Sequence, residues 1–442
     1  SRASILTGLQ QYKVESLRMT GPNPMNVYDP EKCQFWTESL REQGYHTAQI
    51  GKWHTGVDSG YGRDWDHQIV WNRPKYPENS PNYYFDQLIE FDGKEAVLVE
   101  EYTTDKYTDW AVEFIKERGP QSGKPWYLWL CYGGVHAPFT PADRHLEAYE
   151  DVTTPRIPDV YPPRPEKPEY MNQMEFWKPG PNGEPVEKGR EGPVPVGMQD
   201  LPGRTLKDWI RQYQQGVLSI DEGVGRLIEA LQESGQDENT IIIFTSDQGF
   251  AWGQHGSKSK VAPYRANIAA PLIFRLPKWI ASKSRSKGTV VTEPVTAVDI
   301  PVTLFSITGL RSPWKMHGYD LSPLLKDPES PWGKPSMLVH TAKQYGSDTN
   351  TIPPKGDPKL YHGPGVPWYV LLSQGRYKYI RTLIEGETEE LYDVVSDSQE
   401  LINLAGNPAY SKVLRQYRKW TIDELKRTDA GFVSKLPSVA NH

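Results

Sequence analysis

Gly44-Tyr45-His46-Thr47-Ala48-Gln49-Ile50-Gly51-Lys52-Trp53-His54 reads as a short apolar strand over 47–50 that runs into a glycine and then a polar turn. The turn carries a lysine and a histidine two residues apart, and on an extended chain such residues project to the same side. Two further segments share this grammar. The apolar run 126–130 is followed by Gly133-Gly134-Val135-His136, and the run 241–244 by Ser246-Asp247-Gln248-Gly249. A helix with Val224, Leu227, Ile228 and Leu231 at helical spacing precedes the last of them. Strands alternating with amphipathic helices from Ser1 to about Pro277 predict an α/β fold with a mostly parallel central sheet flanked by helices. In open α/β sheets the loops at the carboxyl ends of strands build the crevice. Three strand ends are therefore predicted to face one site.

Working outward, residues 151–204 are rich in Pro, Gly and charge and show little periodicity, which suits either a lid or a partly disordered insertion. Helical patterning resumes over 298–310 and 321–325. From about Thr341 the pattern changes, with strands of a small antiparallel sheet predicted over 368–373, 376–382 and Glu390–Asp393, then an amphipathic helix over 411–426. The expected organisation is a large α/β domain over residues 1–340, with the insertion at about 151–204, and a smaller C-terminal α+β subdomain over 341–442.

The 442 residues carry a formal net charge of -6, which gives no basic field for a nucleic-acid backbone. No run reaches the roughly 18 apolar residues of a membrane span. Two cysteines, Cys33 and Cys131, support neither a disulfide framework nor a cysteine metal cluster. Aromatic residues make up 12% of the chain, and many fall in the polar, Pro-rich stretches 71–84 and 161–177. Such residues either form platforms for sugar rings or pack beneath long loops.

Lys52 and His54, projecting together, suit a tetrahedral oxyanion, the ammonium binding oxygens and the imidazole handling a proton. A solvated lysine beside a satisfied histidine is the alternative. His136, in Val135-His136-Ala137-Pro138, could act at the same site or cap the preceding strand. Asp247 and the Gln248 amide offer oxygen ligands for a hard divalent cation, although Asp-x-Gly also forms Asx-turns. Ser1-Arg2-Ala3-Ser4-Ile5-Leu6-Thr7-Gly8 taken alone could be an ordinary helix start with Ser1 as N-cap.

Together these strings resemble formylglycine-dependent sulfatases of the alkaline-phosphatase-like superfamily, over nearly the whole chain. Ser1 to Gly8 matches the downstream half of the first sulfatase signature, and Gly44 to His54 the second. His136 matches the His-x-Pro element, and Thr245 to Gly249 the metal-binding strand end, with Gln248 where Asn or His is commoner. Gly253-Gln254-His255-Gly256 and Lys260, four residues before Tyr264, parallel the segment with a second sulfate-binding lysine. Lys258 competes for that place, and His255 is a neighbouring candidate. Leu391-Tyr392-Asp393 with Asn403-Leu404-Ala405 looks like the closing pattern of the C-terminal subdomain.

The resemblance implies hydrolysis of sulfate esters, with Ca²⁺ or Mg²⁺ at Asp247 and Gln248. The hydrate of a formylglycine, expected three residues before Ser1, would attack sulfur. Arg2 would steady that nucleophile, Lys52 and Lys260 clamp sulfate oxygens, His54 assist the collapse that expels sulfate, and His136 protonate the leaving oxygen. The paired Asp metal ligands and a core strand are likewise expected ahead of Ser1, so the chain as given is expected to be inactive. A sulfated saccharide is the expected substrate, and export to a periplasm or exterior follows by the same analogy. The alternatives are a phosphonate or phosphate ester hydrolase of the same superfamily, and a non-catalytic sulfoglycan-binding protein.

Overall fold

A computed structural model of the protein describes residues 1–15, 17–20, 25–29, 31–32, 34–79, 81–119, 123–188, 205–285, 288–363 and 365–440. Cys33 and the second part of the expected insertion, 189–204, lie outside these residues. Strands β1 (His46–Trp53), β2 (His67–Asn72), β3 (Gln87–Phe91), β4 (Val97–Val99) and β5 (Trp126–Cys131) form one sheet in the order β4-β3-β2-β1-β5. β1 runs parallel to both β2 and β5, whereas β2–β3 and β3–β4 are antiparallel. The sheet is thus mixed, parallel at its functional side and antiparallel towards β4. β6 (Ile242–Thr245) and β7 (Leu272–Arg275) form a separate antiparallel pair.

β1 is central because its neighbours cover it on both edges and its residues after His46 are all buried. Most polar groups on such a strand find partners within the protein, although Gln49 Oε1 has none among the described residues. Thr47 donates its backbone N–H and hydroxyl to Asp66, and the Gln49 amide donates to the Gly51 carbonyl at 3.1 Å. Ala48 and Ile50 pack with Trp71, Tyr107 and Phe114 in the core between sheet and helices. Each large apolar side chain so buried contributes about 1.5–3 kcal/mol.

The helices that frame the site are α1 (Arg2–Thr7), α2 (Trp36–Glu42), α3 (Thr103–Glu113), α4 (Leu206–Glu233) and α5 (Asp299–Thr308). α4 starts at a capping box in which Thr205 and Asp208 satisfy each other's backbone N–H groups. Its apolar stripe, including Val224, Leu227 and Ile228, faces a cavity of about 1700 Å³ that separates β5 from β6. Leu128, Leu130, Ile243 and Phe305 line it from the other elements. The carboxyl ends of β5 and β6 meet at its polar mouth.

A second, antiparallel sheet holds β8 (Ser336–His340), β9 (Tyr369–Gln374), β10 (Tyr377–Thr382) and β11 (Glu390–Asp393) in that order, with α6 (Ser411–Arg427) packed against it. It recruits β8 from before residue 341, and Gln10 near the start of the chain donates to the Met337 carbonyl at 3.0 Å. Residues 177–179 and 185–187 of the insertion pair as a hairpin. In the two Pro-rich stretches Trp71, Tyr83, Tyr84, Tyr170 and Trp177 are buried, whereas Tyr76, Tyr161 and Phe176 are half-buried. The buried rings are therefore not exposed sugar platforms, and the packing alternative holds for them.

Candidate active site

Lys52, the penultimate residue of β1, is 5% exposed. Its Nζ lies 4.7 Å from the Tyr83 ring centroid and 5.7 Å from that of Trp71. Burial, then the charges of Arg2, Lys260 and Arg73, pull its pKa well below the ordinary lysine value. His54, just past the strand, is lowered well below 6.5 by burial and then by Lys52, Arg2, Arg73 and Lys260.

His136 follows β5, flanked by cis peptides at Gly134–Val135 and Ala137–Pro138. Its ring stacks on Tyr83 with centroids 3.9 Å apart, and the Tyr84 hydroxyl donates to its carbonyl at 2.6 Å. Nδ1 stands 2.8 Å from the Ala137 carbonyl oxygen. A neutral ring donates there from Nδ1, which leaves the Nε2 lone pair for another partner. Burial, then Lys52 and Lys260, push the pKa of His136 down to about 3.

Asp247, at the end of β6, accepts an ion pair from Arg2 at 3.0 Å. Burial alone would raise its pKa, but Arg2, Lys260 and Lys52 outweigh that and hold the carboxyl ionised, well below its usual range. Burial lowers the pKa of Lys260, and Asp247 opposes the shift. Lys258 turns elsewhere, its Nζ 2.5 Å from Glu187 and over the Trp209 ring. Of the two competing lysines, the structure brings Lys260 to the cluster. Cys131 also lines the crevice, but burial raises its thiol to about 11, so it stays protonated and is no nucleophile.

The structure thus brings Arg2, Lys52, His54, His136, Asp247 and Lys260 together and sets His255 apart. His255 is 2% exposed, donates its backbone N–H to Asp159 at 3.0 Å and places Nδ1 2.6 Å from the same carboxylate. Its ring lies 4.2 Å from Tyr264. It belongs to the wall of the cavity and is tied to Asp159 of the insertion. Gln248 also lines the cavity beside Asp247, and its carbonyl accepts from the Ser246 hydroxyl at 3.1 Å.

A hard cation such as Ca²⁺ takes about six to eight oxygens. Among the described residues no group of three or more His, Cys, Asp or Glu could hold a metal. Asp247 and Gln248 offer one carboxylate and one amide, and Arg2 already engages the carboxylate. These residues alone do not form a divalent-metal site.

Arg73 and Tyr83 escaped the sequence reading. Arg73 follows β2 directly, and its charge bears on Lys52, His54, His136 and Lys260. The signal was its position at the end of a strand, but β2 has no glycine-rich loop after it to mark that end.

A cation-lined crevice at the carboxyl ends of α/β strands is the layout of an enzyme that stabilises a tetrahedral oxyanion. Residues 1–310 match the Sulfatase family, and the chain belongs to it. By family it is a sulfuric ester hydrolase. It is 27% identical to an N-acetylglucosamine-6-O-sulfatase of Bacteroides thetaiotaomicron, over 93% of this chain and 75% of that protein. It is 29% identical to a putative extracellular sulfatase Sulf-1 homologue of Caenorhabditis elegans, over 74% of this chain and 42% of that protein. Its fold matches that of a protein solved in complex with D-glucosamine-2-N,6-O-disulfate, with TM-score 0.75, 22% identity, and coverage of 97% of this chain and 87% of that one. The family is generally dependent on a metal and on formylglycine.

Proposed function

We propose that the substrate is a sulfate ester on a saccharide and that Lys52 and Lys260 grip the sulfate oxygens. The observation that carries this reading is the convergence of Arg2, Lys52 and Lys260 on a crevice whose carboxylate, Asp247, is already engaged. The sugar sulfatase named above and the disulfated glucosamine bound by the structural relative support a saccharide. Buried cations that depress one another's proton affinity are preorganised for an anion, whose charge offsets both burial and mutual repulsion.

His136 is the proton donor to the leaving oxygen. In the free site its Nε2 is a lone pair, because burial and then the charges of Lys52 and Lys260 disfavour the protonated ring. A sulfate between those lysines offsets their repulsion, so the imidazole gains proton affinity when substrate is bound. Arg2 would steady the nucleophile, and His54 would assist the collapse that expels sulfate. The nucleophile is the formylglycine that the family signature places three residues before Ser1. Ca²⁺ would draw on Asp247 and Gln248 for part of its oxygen shell.

Among the described residues no helix is long and apolar enough to cross a membrane. Because relatives include extracellular sulfatases, we assign the protein to a periplasm or the cell exterior. We place the division between the catalytic domain and the C-terminal subdomain just before β8, which belongs to the second sheet.

The test pairs a peptide map of the full-length protein, across the residues before Ser1, with an assay of inorganic sulfate release from N-acetylglucosamine 6-sulfate. An aldehyde side chain and sulfate release are expected. An unmodified, unmodifiable residue with no release on any sulfated sugar would overturn the reading in favour of binding alone.

A further inference from the structure

Across the parallel pair β1–β2, Lys52 faces Trp71 and Trp53 faces Asn72. His54 and Arg73 are the next residues of the two chains, just beyond the strand ends. The Arg73 guanidinium carbon lies 4.8 Å from the Tyr83 centroid and 5.6 Å from that of Trp71. Those are the two rings that Lys52 approaches at 4.7 and 5.7 Å. Arg73 also donates to the Tyr83 hydroxyl at 2.5 Å, so its position is fixed by the tyrosine against which His136 stacks. Its electrostatic influence on Lys52, His54, His136 and Lys260 agrees with that placement.

Arg73 thus brings a further cation to the two rings that Lys52 approaches, from the end of β2. A planar guanidinium presents a fork that matches an oxyanion, and it stays charged in a site that depresses lysines. We propose that Arg73 is a specificity residue, contacting a second anionic group, a sulfate or a carboxylate, on the sugar that bears the scissile sulfate ester. This rests on the sugar-sulfatase reading.

Titration calorimetry on the full-length protein tests it with three probes: N-acetylglucosamine 6-sulfate, N-sulfoglucosamine 6-sulfate and a 2-sulfated uronic acid. The native protein should bind at least one doubly charged sugar about 10- to 100-fold more tightly than the singly sulfated one. Which sugar gains separates sulfate from carboxylate. Arg73→Gln should erase that preference, losing about 10- to 100-fold more affinity for the doubly charged sugar than for N-acetylglucosamine 6-sulfate. Arg73→Lys, which keeps charge without the fork, should lose part of it and serves if the glutamine variant does not fold. Equal binding of all three probes by the native protein, or an equal loss on all three in the variants, overturns the role of Arg73 alone. Binding to none of the probes removes the sugar-sulfatase reading and this inference with it.

Discussion

His136 lies flat against Tyr83, with ring planes 8° from parallel, while Lys52 and Arg73 approach the same ring at 4.7 and 4.8 Å. One aromatic side chain therefore sets the spacing of His136, Lys52 and Arg73. Displacing a reacting group by about 1 Å can cost about a hundredfold in rate. Tyr83→Ala should lower kcat on a sulfate ester by about that factor, whereas Tyr83→Phe, which keeps the ring and loses only the hydroxyl, should cost less than about tenfold. Steady-state kinetics of the two variants decide it, and an unchanged kcat in a folded Tyr83→Ala protein would remove the positioning role.

The protonation of His136 is the second prediction. Its folded pKa of about 3 is depressed from 6.5, so the unfolded chain binds a proton between those values that the folded one refuses. The stability it contributes is fully present above pH 6.5 and is lost as pH falls towards 3, with a slope of at most about 1.4 kcal/mol per pH unit. Inorganic sulfate between Lys52 and Lys260 should raise the pKa. NMR titration of the imidazole with and without sulfate reads this directly, and a pKa near 6.5 in the free protein would contradict the burial and charge argument.

Much of this site was legible because strand and loop chemistry coincide at β1, β5 and β6. The run 47–50 marked β1, and the glycines after 126–130 and before His136 marked the turn. β2 was not legible, since His67-Gln-Ile-Val-Trp-Asn has no clean alternation and is followed by Arg73-Pro74. Arg73 was lost with it. His255 stands near Lys260 in sequence, and the structure places it on the wall of the same cavity with its ring held by Asp159. Spacing to Tyr264 favours Lys260 over Lys258, and the structure pairs Lys258 with Glu187 of the hairpin over 177–187. Whether the aromatics of 71–84 face water or core depends on what lies above them, and composition does not contain that.

The segment that carries Lys260 is anchored through a buried ionic network to the C-terminal sheet. Lys378 on β10 is 3% exposed and lies 2.5 Å from Glu400, whose other oxygen accepts the Arg265 backbone N–H at 2.7 Å. Lys167 of the insertion donates to the Glu400 carbonyl and the Tyr392 hydroxyl, each at 2.8 Å. Removing one partner of a buried pair strands the other charge and costs about 3–5 kcal/mol. Lys378→Met should lose that much in urea unfolding, and pairing it with Glu400→Gln should recover part of it. A cost below about 1 kcal/mol would show that water reaches the pair.

Gly51 gives the last prediction, because its backbone and its surroundings can be separated experimentally. It sits in β1 at φ +102°, and an ideal Cβ there would stand 2.1 Å from the Cys131 carbonyl oxygen and 3.3 Å from the Tyr107 ring. The oxygen belongs to β5, which is locked to β1 by its register from His46 to Gly51, so it cannot retreat without breaking the parallel pair. Gly44 has a similar φ of +91° with nothing within 4 Å of its Cβ position. Gly44→Ala should therefore cost only the backbone strain, about 1–2 kcal/mol. Gly51→Ala should cost that and the clash, at least about 3 kcal/mol, and should weaken sulfate binding because Lys52 is the next residue. Thermal melts of the two variants give the difference, and equal costs would mean that β5 yields at Cys131 and that the close approach does not fix Lys52.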